Sequence, residues 1–164
     1  MEGILSLINR NKNKGVIVDA NLLLVYVVGC INPDRLSKFP RTSQFDKNSF
    51  DLLYNLINEF NLIVATPNIL TELCNLLGNL QEPERGKCLA LVKNLTKNNE
   101  IFQEFYVESQ IATDESCFTR LELTDSGIAH LAKGKFLVLT IDLDLHLHLL
   151  SLGIDSINFN NLLI

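Results

Sequence analysis

The chain has 164 residues, of which 47% are hydrophobic and 20% are charged, and its formal net charge is −5. This composition is ordinary for a soluble globular protein with one sizeable core, and no apolar run reaches the roughly eighteen residues of a membrane span. The acidic balance argues against a broad basic surface for nucleic acid, and the four cysteines are too widely spaced for a zinc site or a disulfide framework, so we expect a reduced, cytoplasmic protein.

Short apolar runs alternate with longer amphipathic ones, which is typical of a parallel sheet covered by helices. The first half of the chain starts with a short helical extension, and the compact β-branched run "GVIVD" follows as a buried strand. The elements predicted here are a helical extension over 1–14, a strand over 15–19, a helix over 20–29, a loop over 30–45, a helix over 46–60, a strand over 61–66 and a helix over 67–78.

The second half of the chain continues this alternation. Helices are predicted over 84–98, 101–112 and 123–134, and strands over 135–140 and 154–159. Thr124 or Asp125 lies near the N-terminal cap of the last of these helices, and Gly134 follows its end. Because no linker or internal repeat divides the sequence, residues 1–164 are expected to form a single α/β domain.

The segment "FLVLTIDLDLHLHLL" (136–150) admits two interpretations. As one strand it would place two aspartates and two histidines on a single face, like a row of metal ligands. Such a strand would exceed the usual length of about 3–10 residues. A strand that ends near Thr140, followed by a helix over 143–152 with Asp142 as its cap and Gly153 after its end, has ordinary lengths. We therefore predict the strand and the helix.

A helix separates the side chains that a strand would align. Successive helical residues are about 100° apart, so His146 and His148 point about 200° apart and should bind no common metal. The leucines of this segment form two adjacent stripes, which predict that the helix is widely buried.

Carboxylates follow the C-terminal ends of two predicted strands. Asp19 ends the first strand and Asp142 follows the strand over 135–140, and ligands of open parallel sheets bind beyond such ends. Glu72, in an otherwise apolar helix, and Asp125, in the first turn of another, are candidates for the same cluster. Clustered carboxylates need a cation or a shared proton, although each acid alone has an alternative role as a helix cap or an exposed side chain.

Four segments resemble, in order, the acidic motifs of PIN-domain nucleases, and the resemblance spans residues 15–159. They are "VIVDANLLLVYVVG", "TPNILTELCNLLG", "LTDSGIAHLA" and "FLVLTIDLDLHLHLLSLGIDSINF". By position, the resemblance implies a set of catalytic, metal-binding acids that consists of Asp19, Glu72, Asp125 and Asp142. It also implies Asp144 as an additional metal ligand, with Asn21 and Thr140 as supporting polar residues.

The resemblance implies a three-layer α/β/α sandwich around a central, mostly parallel sheet. It further implies a nuclease that uses Mg²⁺ or Mn²⁺ to hydrolyse RNA, with DNA as the less favoured substrate, and hard divalent ions do prefer carboxylate oxygens. If the fold is right, the loop "SKFPRTSQF" lies near the same sheet edge, where Arg41, Thr42 and Ser43 could bind a phosphate. The alternative for these three residues is a plain surface loop.

Other interpretations of the sequence remain open. An intact acidic set is also compatible with a non-catalytic PIN-like scaffold, and "IDLDLH" resembles the Asp-x-Asp motif of haloacid-dehalogenase-type phosphohydrolases, although too few residues follow it. The long loop over 30–45 and the acidic balance differ from the compact toxin-type PIN ribonucleases. A toxin role with an antitoxin-like protein partner is therefore only one alternative. A homodimer is a further possibility that the sequence leaves open.

Overall fold

The computed structural model describes residues 3–163, which form a central sheet of five parallel strands flanked by helices. The strand order is β3-β2-β1-β4-β5, and each neighbouring pair is parallel. The strands are β1 (Val16–Val18), β2 (Ile63–Ala65), β3 (Phe102–Glu104), β4 (Leu137–Thr140) and β5 (Ser156–Asn158). The predicted α/β fold is confirmed, and the sheet is parallel throughout.

One helix, α1 (Ile4–Asn11), precedes the first strand, and the other α-helices of the described chain occupy the crossovers between strands. These are α2 (Ala20–Ile31), α3 (Lys47–Asn58), α4 (Pro67–Leu77), α5 (Glu84–Lys97), α6 (Ser109–Thr113), α7 (Phe118–Ala132) and α8 (Leu143–Ser151). The crossovers from β1 to β3 run in one direction across the sheet, and those from β3 to β5 run in the other. Because parallel crossovers are right-handed, α2–α5 and α6–α8 lie on opposite faces, as in a three-layer sandwich.

The core is formed around β1, β4 and α2. All residues of β1 and β4 are buried because helices cover both faces of a parallel sheet. Nine of the twelve residues of α2 are buried, and this helix contacts α3, α4 and α5. Gly29 lets α2 and α3 approach closely, since a Cβ at this position would lie 2.1 Å from the ring of Phe50. The unbroken apolar run of α2 thus identifies the most buried helix.

The predicted helix over 101–112 is wrong. The chain there forms β3 and then, after an extended stretch, the short α6. Ile63 N–H donates to the carbonyl of Ile101, and Phe105 N–H donates to the carbonyl of Ala65, so pairing with β2 replaces helical hydrogen bonds. The spacing of Ile101 and Phe105 resembles a helical period, but a strand at the sheet edge buries few side chains and leaves a weak sequence signal.

The disputed segment over 136–150 is a strand and a helix, as predicted. The side chain of Asp142 accepts a hydrogen bond from Leu145 N–H (2.9 Å), and Gly153 follows the helix with φ of 69°. His146 and His148 therefore lie on α8. The predicted wide burial of α8 is wrong, because only Leu145 and Leu149 are buried. Four leucines around them are 44–59% exposed, namely Leu143, Leu147, Leu150 and Leu152.

The region before α3 is more ordered than the predicted loop over 30–45. α2 continues to Ile31, and a 3₁₀ turn follows over Pro33–Lys38. Phe39 and Phe45 are buried, and the ring of Phe45 packs against that of Phe159. None of the helices between residues 3 and 163 is long and apolar enough to cross a membrane.

Candidate acidic site

The strand order reverses between β1 and β4. From β1 the chain crosses to β2 on one side, whereas β4 lies on the other side of β1. In open parallel sheets, ligands bind beyond the C-terminal strand ends at such a switch point. Asp19 directly follows β1, and Asp142 follows β4 after a single residue. The two acids at strand ends therefore lie where this fold places its ligand sites.

Asp19 is buried and its carboxylate is held by three hydrogen bonds. Oδ1 accepts from Leu22 N–H (2.8 Å) and thereby caps α2, while Oδ2 accepts from Ile141 N–H (3.1 Å) and from the Thr140 hydroxyl. Burial raises the pKa of Asp19 above its ordinary value, although these three donors act in the opposite direction. The negative charge of Asp142 raises this pKa further.

Thr140 connects the two acids at the strand ends. Its side chain is fully buried, and its hydroxyl donates to Asp19 while it accepts from Asp142 N–H (2.9 Å). One hydroxyl therefore fixes the carboxylate that follows β1 and the backbone of the acid that follows β4. Its supporting role in a metal site stays a prediction.

The other two predicted acids reach the site from α4 and α7. Glu72 is exposed on α4, and its Oε1 accepts a hydrogen bond from the hydroxyl of Thr124. α7 is kinked at Glu122, whose φ of 67° and ψ of −171° are a combination that glycine adopts far more readily than other residues. The helix resumes after this kink and carries Thr124 and Asp125.

All four predicted acids line one cavity of about 590 Å³. Its wall also includes a fifth acid, Glu122, which the sequence analysis did not identify. The lining residues, called the acidic cavity below, are Asp19, Ala20, Asn21, Glu72, Phe118, Thr119, Leu121, Glu122, Leu123, Thr124, Asp125, Ile128 and Asp142. Within the described chain no lysine, arginine or histidine is part of this wall, so five acids line the cavity without a basic side chain among them.

This imbalance of charge is clearest at Asp125. Burial, as the largest cause, raises the pKa of Asp125 from 3.8 to about 7 together with the charges of Asp19, Asp142, Glu72 and Glu122. A divalent cation would remove this repulsion, and carboxylate oxygens are the ligands that Mg²⁺ and Mn²⁺ prefer. The donor set of the acidic cavity therefore fits such an ion.

The carboxylates do not form a closed metal cage. Within residues 3–163, no three His, Cys, Asp or Glu side chains come close enough together to hold one ion in common. Three of the acids make other contacts, since Asp19 caps α2, Asp142 caps α8 and Glu72 accepts from the hydroxyl of Thr124. Mg²⁺ usually keeps several waters and needs only one or two carboxylates, so this spacing is compatible with a hydrated ion.

The remaining predicted residues are distributed differently. Asn21 lines the acidic cavity, whereas Asp144 is exposed on α8 and is not part of the wall, so its role as a metal ligand stays a prediction. The expectation of a surface hydroxyl at Thr42 is corrected, because Thr42 is buried and its hydroxyl donates to the carbonyl of Leu36 (2.8 Å) within its own loop. Arg41 and Ser43 are exposed but do not line the cavity, so their role in substrate binding stays a prediction.

Replacing Asp125 by Asn should stabilise the metal-free protein above pH 7. The folded pKa of about 7 lies above the ordinary value of 3.8, so the wild type has its full stability below pH 4 and loses stability as the pH rises through 7. The variant lacks this loss and should gain about 2 kcal/mol at pH 8, allowing for the partial exposure of the side chain. Thermal unfolding with chelator between pH 4 and 8 measures the difference, and equal slopes for the two proteins would contradict it.

Comparison with known proteins adds no family to this description. No protein-family model matches the chain, and no curated protein is significantly similar to it. The resemblance to PIN-domain nucleases therefore depends on the four motifs themselves.

Proposed function

We propose that this protein is a PIN-like, metal-dependent nuclease that hydrolyses RNA phosphodiester bonds, with DNA as the less favoured substrate. The observation that carries the proposal is the acidic cavity, in which carboxylates from separate chain segments meet at the switch point of the sheet without a basic partner. Four of these five acids lie in the segments that resemble the PIN motifs. A purely structural role would not require so much unbalanced charge around one cavity.

Asp19, Glu72, Asp125 and Asp142 are the acids from which one or two would hold a hydrated Mg²⁺ or Mn²⁺, since no three of them in the described chain lie close enough to share an ion. When bound, such an ion supplies Lewis acidity and positive charge for the phosphodiester. The chain itself supplies rigidity, because Asp19 is fixed by Thr140, Leu22 and Ile141. Asn21 is exposed on the first turn of α2 beside Asp19 and can donate hydrogen bonds from its amide to a substrate phosphate.

The haloacid-dehalogenase alternative has less support. Its nucleophile motif requires Asp142 and Asp144 to serve one site, but only Asp142 lines the acidic cavity. We also propose a cytoplasmic location, which is favoured by the four free cysteines, since none of them forms a disulfide in the described chain.

The test is cleavage of structured and single-stranded RNAs and DNAs with added Mg²⁺ or Mn²⁺, repeated with chelator. We expect RNA cleavage that chelator abolishes and that either metal restores. Calorimetric titration of each metal into the chelator-treated protein measures binding independently of activity. Cleavage that resists chelator would overturn the proposal, and a folded protein that binds metal but cuts no substrate would favour the scaffold alternative.

A further inference from the structure

Arg120 lies at the rim of the acidic cavity. Its neighbours Thr119 and Leu121 both line the cavity, and Arg120 itself is exposed on the first turn of α7. Among the lysines and arginines of residues 3–163, no other has cavity-lining neighbours on both sides. Arg120 is therefore the cationic side chain that the sequence places beside a wall of five acids.

Arg120 also differs from the basic residues further along α7, because it forms no ion pair within the described chain. Lys133 donates to both carboxylate oxygens of Glu115 (2.7 and 2.8 Å), and Nδ1 of His130 contacts the same carboxylate (2.9 Å). The side chain of Glu115 is only 10% exposed, so these contacts tie the segment before α7 to the end of that helix. Lys133 is thus committed to the fold, whereas the guanidinium of Arg120 is available to a ligand.

The position of Arg120 relative to α8 is given by its effect on His148. Burial lowers the pKa of His148, and the positive charge of Arg120 lowers it further, so the two side chains lie close enough to interact. α7 and α8 contact each other, and these helices carry Asp125 and follow Asp142, respectively. The guanidinium of Arg120 therefore lies toward the helix that starts at an acid of the cavity.

A phosphodiester that approaches the acidic cavity meets unbalanced negative charge. Five acids line the wall, and the whole chain has a formal net charge of −5. A divalent ion offsets part of this charge, but the phosphates on either side of the reacting one still need a cation of their own. Arginine suits this role, since its planar guanidinium can donate two parallel hydrogen bonds to one phosphate.

We propose that Arg120 binds a backbone phosphate of the nucleic-acid substrate beside the phosphodiester that is cleaved, and so positions the strand at the acidic cavity. This inference rests on the proposed nuclease function, which it extends to the residue that holds the substrate. Arg120 is a positioning residue, because its contact with a neighbouring phosphate is the same before and during the reaction. Such a contact affects KM rather than kcat. RNA and DNA share this phosphate chemistry, so the contact does not select between them.

Fluorescence anisotropy with a short, labelled, single-stranded RNA tests the contact independently of cleavage, since chelator is present throughout. We expect Arg120→Gln to raise Kd about tenfold at low salt, as for the loss of a hydrogen-bonded charge. The slope of log Kd against log salt concentration should fall by about 0.7, the value for one phosphate contact with a single strand. Arg85→Gln is the matched control, because Arg85 is also exposed and forms no ion pair in the described chain but lies on α5, outside the cavity wall.

The control should keep both the wild-type Kd and the wild-type slope. Arg120→Lys should keep the slope and lose only part of the affinity, because the charge remains while the second hydrogen bond is lost. An Arg120→Gln protein with the wild-type slope would overturn the proposal. An equal loss for Arg85→Gln would also overturn it, since the effect would then come from the net charge and not from a contact at the cavity.

Initial rates with Mg²⁺ separate this inference from the nuclease proposal. Arg120→Gln should raise KM about tenfold and leave kcat close to wild type, because binding is lost equally in the ground state and the transition state. Cleavage with an unchanged KM would overturn the role of Arg120 and leave the nuclease proposal intact. Binding that depends on Arg120 without any cleavage would support the phosphate site and contradict the nuclease.

A single-stranded DNA of the same sequence distinguishes phosphate from other contacts. The Arg120→Gln variant should lose as much of the salt slope with DNA as with RNA, since both strands carry the same phosphates. A loss that is confined to RNA would contradict a phosphate contact. A wild-type protein that binds neither strand at low salt would overturn the proposal.

Discussion

Asp19→Asn and Asp142→Asn should each lower metal-dependent cleavage by about a hundredfold or more. Both side chains follow strands that lie beside each other, so the sheet holds them in place, and the amide removes the charge while it preserves the shape. For Asp19→Asn a cost to folding of about 1–2 kcal/mol is also expected, because an amide cannot accept from all three of the present donors. Initial rates with Mg²⁺ and Mn²⁺, together with thermal unfolding, separate these two effects.

Asp46→Asn is the matched control for these variants. Asp46 caps α3 by accepting from Ser49 N–H (2.8 Å), as Asp19 and Asp142 cap their own helices, but it does not line the acidic cavity. His146→Ala is a second control, since the ring of His146 binds Ser156 rather than an acid of the cavity. Both control proteins should cut at close to the wild-type rate. Asp19→Asn protein that cuts as well as wild type would contradict the assignment of the acids.

The acidic cluster could be predicted because the residues that indicate each acid are close to it in the sequence. Asp19 and Asp142 each end a compact apolar strand and start a helix, and the geometry of a parallel sheet brings the two positions together. The positions of the capping residues and the usual lengths of strands and helices also led to the prediction that the residues after Asp142 form a helix. Glu72 and Asp125 required the additional resemblance to known motifs, because a single acid on a helix has no distinctive pattern.

The parts that the sequence did not predict depend on packing between distant segments. Nothing in "FTRLELTD" distinguishes Glu122 as the position where α7 kinks, so its place in the cavity was not expected. Thr42 was expected to be an exposed loop hydroxyl, but its side chain is buried and its hydroxyl donates to the carbonyl of Leu36. The leucines of α8 were expected to be buried because their spacing indicates an apolar helix face. The spacing does not indicate whether another part of the chain packs against that face.

Thr140 shows how a buried hydroxyl supports two acids that are far apart in the sequence. It lies 121 residues from Asp19, whose carboxylate it contacts, and it accepts from the backbone of Asp142. Each acid also caps the helix that follows it, since Asp19 accepts from Leu22 N–H and Asp142 accepts from Leu145 N–H, and Thr140 adds the contact that joins the two. The order of the acidic cavity therefore depends on a residue that does not line it.

Thr140→Val should weaken metal binding about tenfold and destabilise the fold by about 2 kcal/mol. Valine has the same shape but leaves the part-buried Asp142 N–H without this acceptor and Asp19 without one donor. Loss of this donor should raise the pKa of Asp19 further, so the deficit in metal affinity should shrink as the pH is raised. Calorimetric metal titrations at several pH values, together with thermal unfolding, measure both effects.

Thr140→Ser should restore both properties, since it returns the hydroxyl. Thr66→Val is the matched control: Thr66 is buried at the end of β2 and caps α4 by accepting from Ile69 N–H (3.3 Å), but it contacts none of the acids. This control should lose about 1 kcal/mol of stability and keep its metal affinity. If Thr140→Val and Thr66→Val bound metal equally well at every pH, the hydroxyl of Thr140 would be a structural contact only, and the rigidity of Asp19 would have to come from the backbone donors of Leu22 and Ile141.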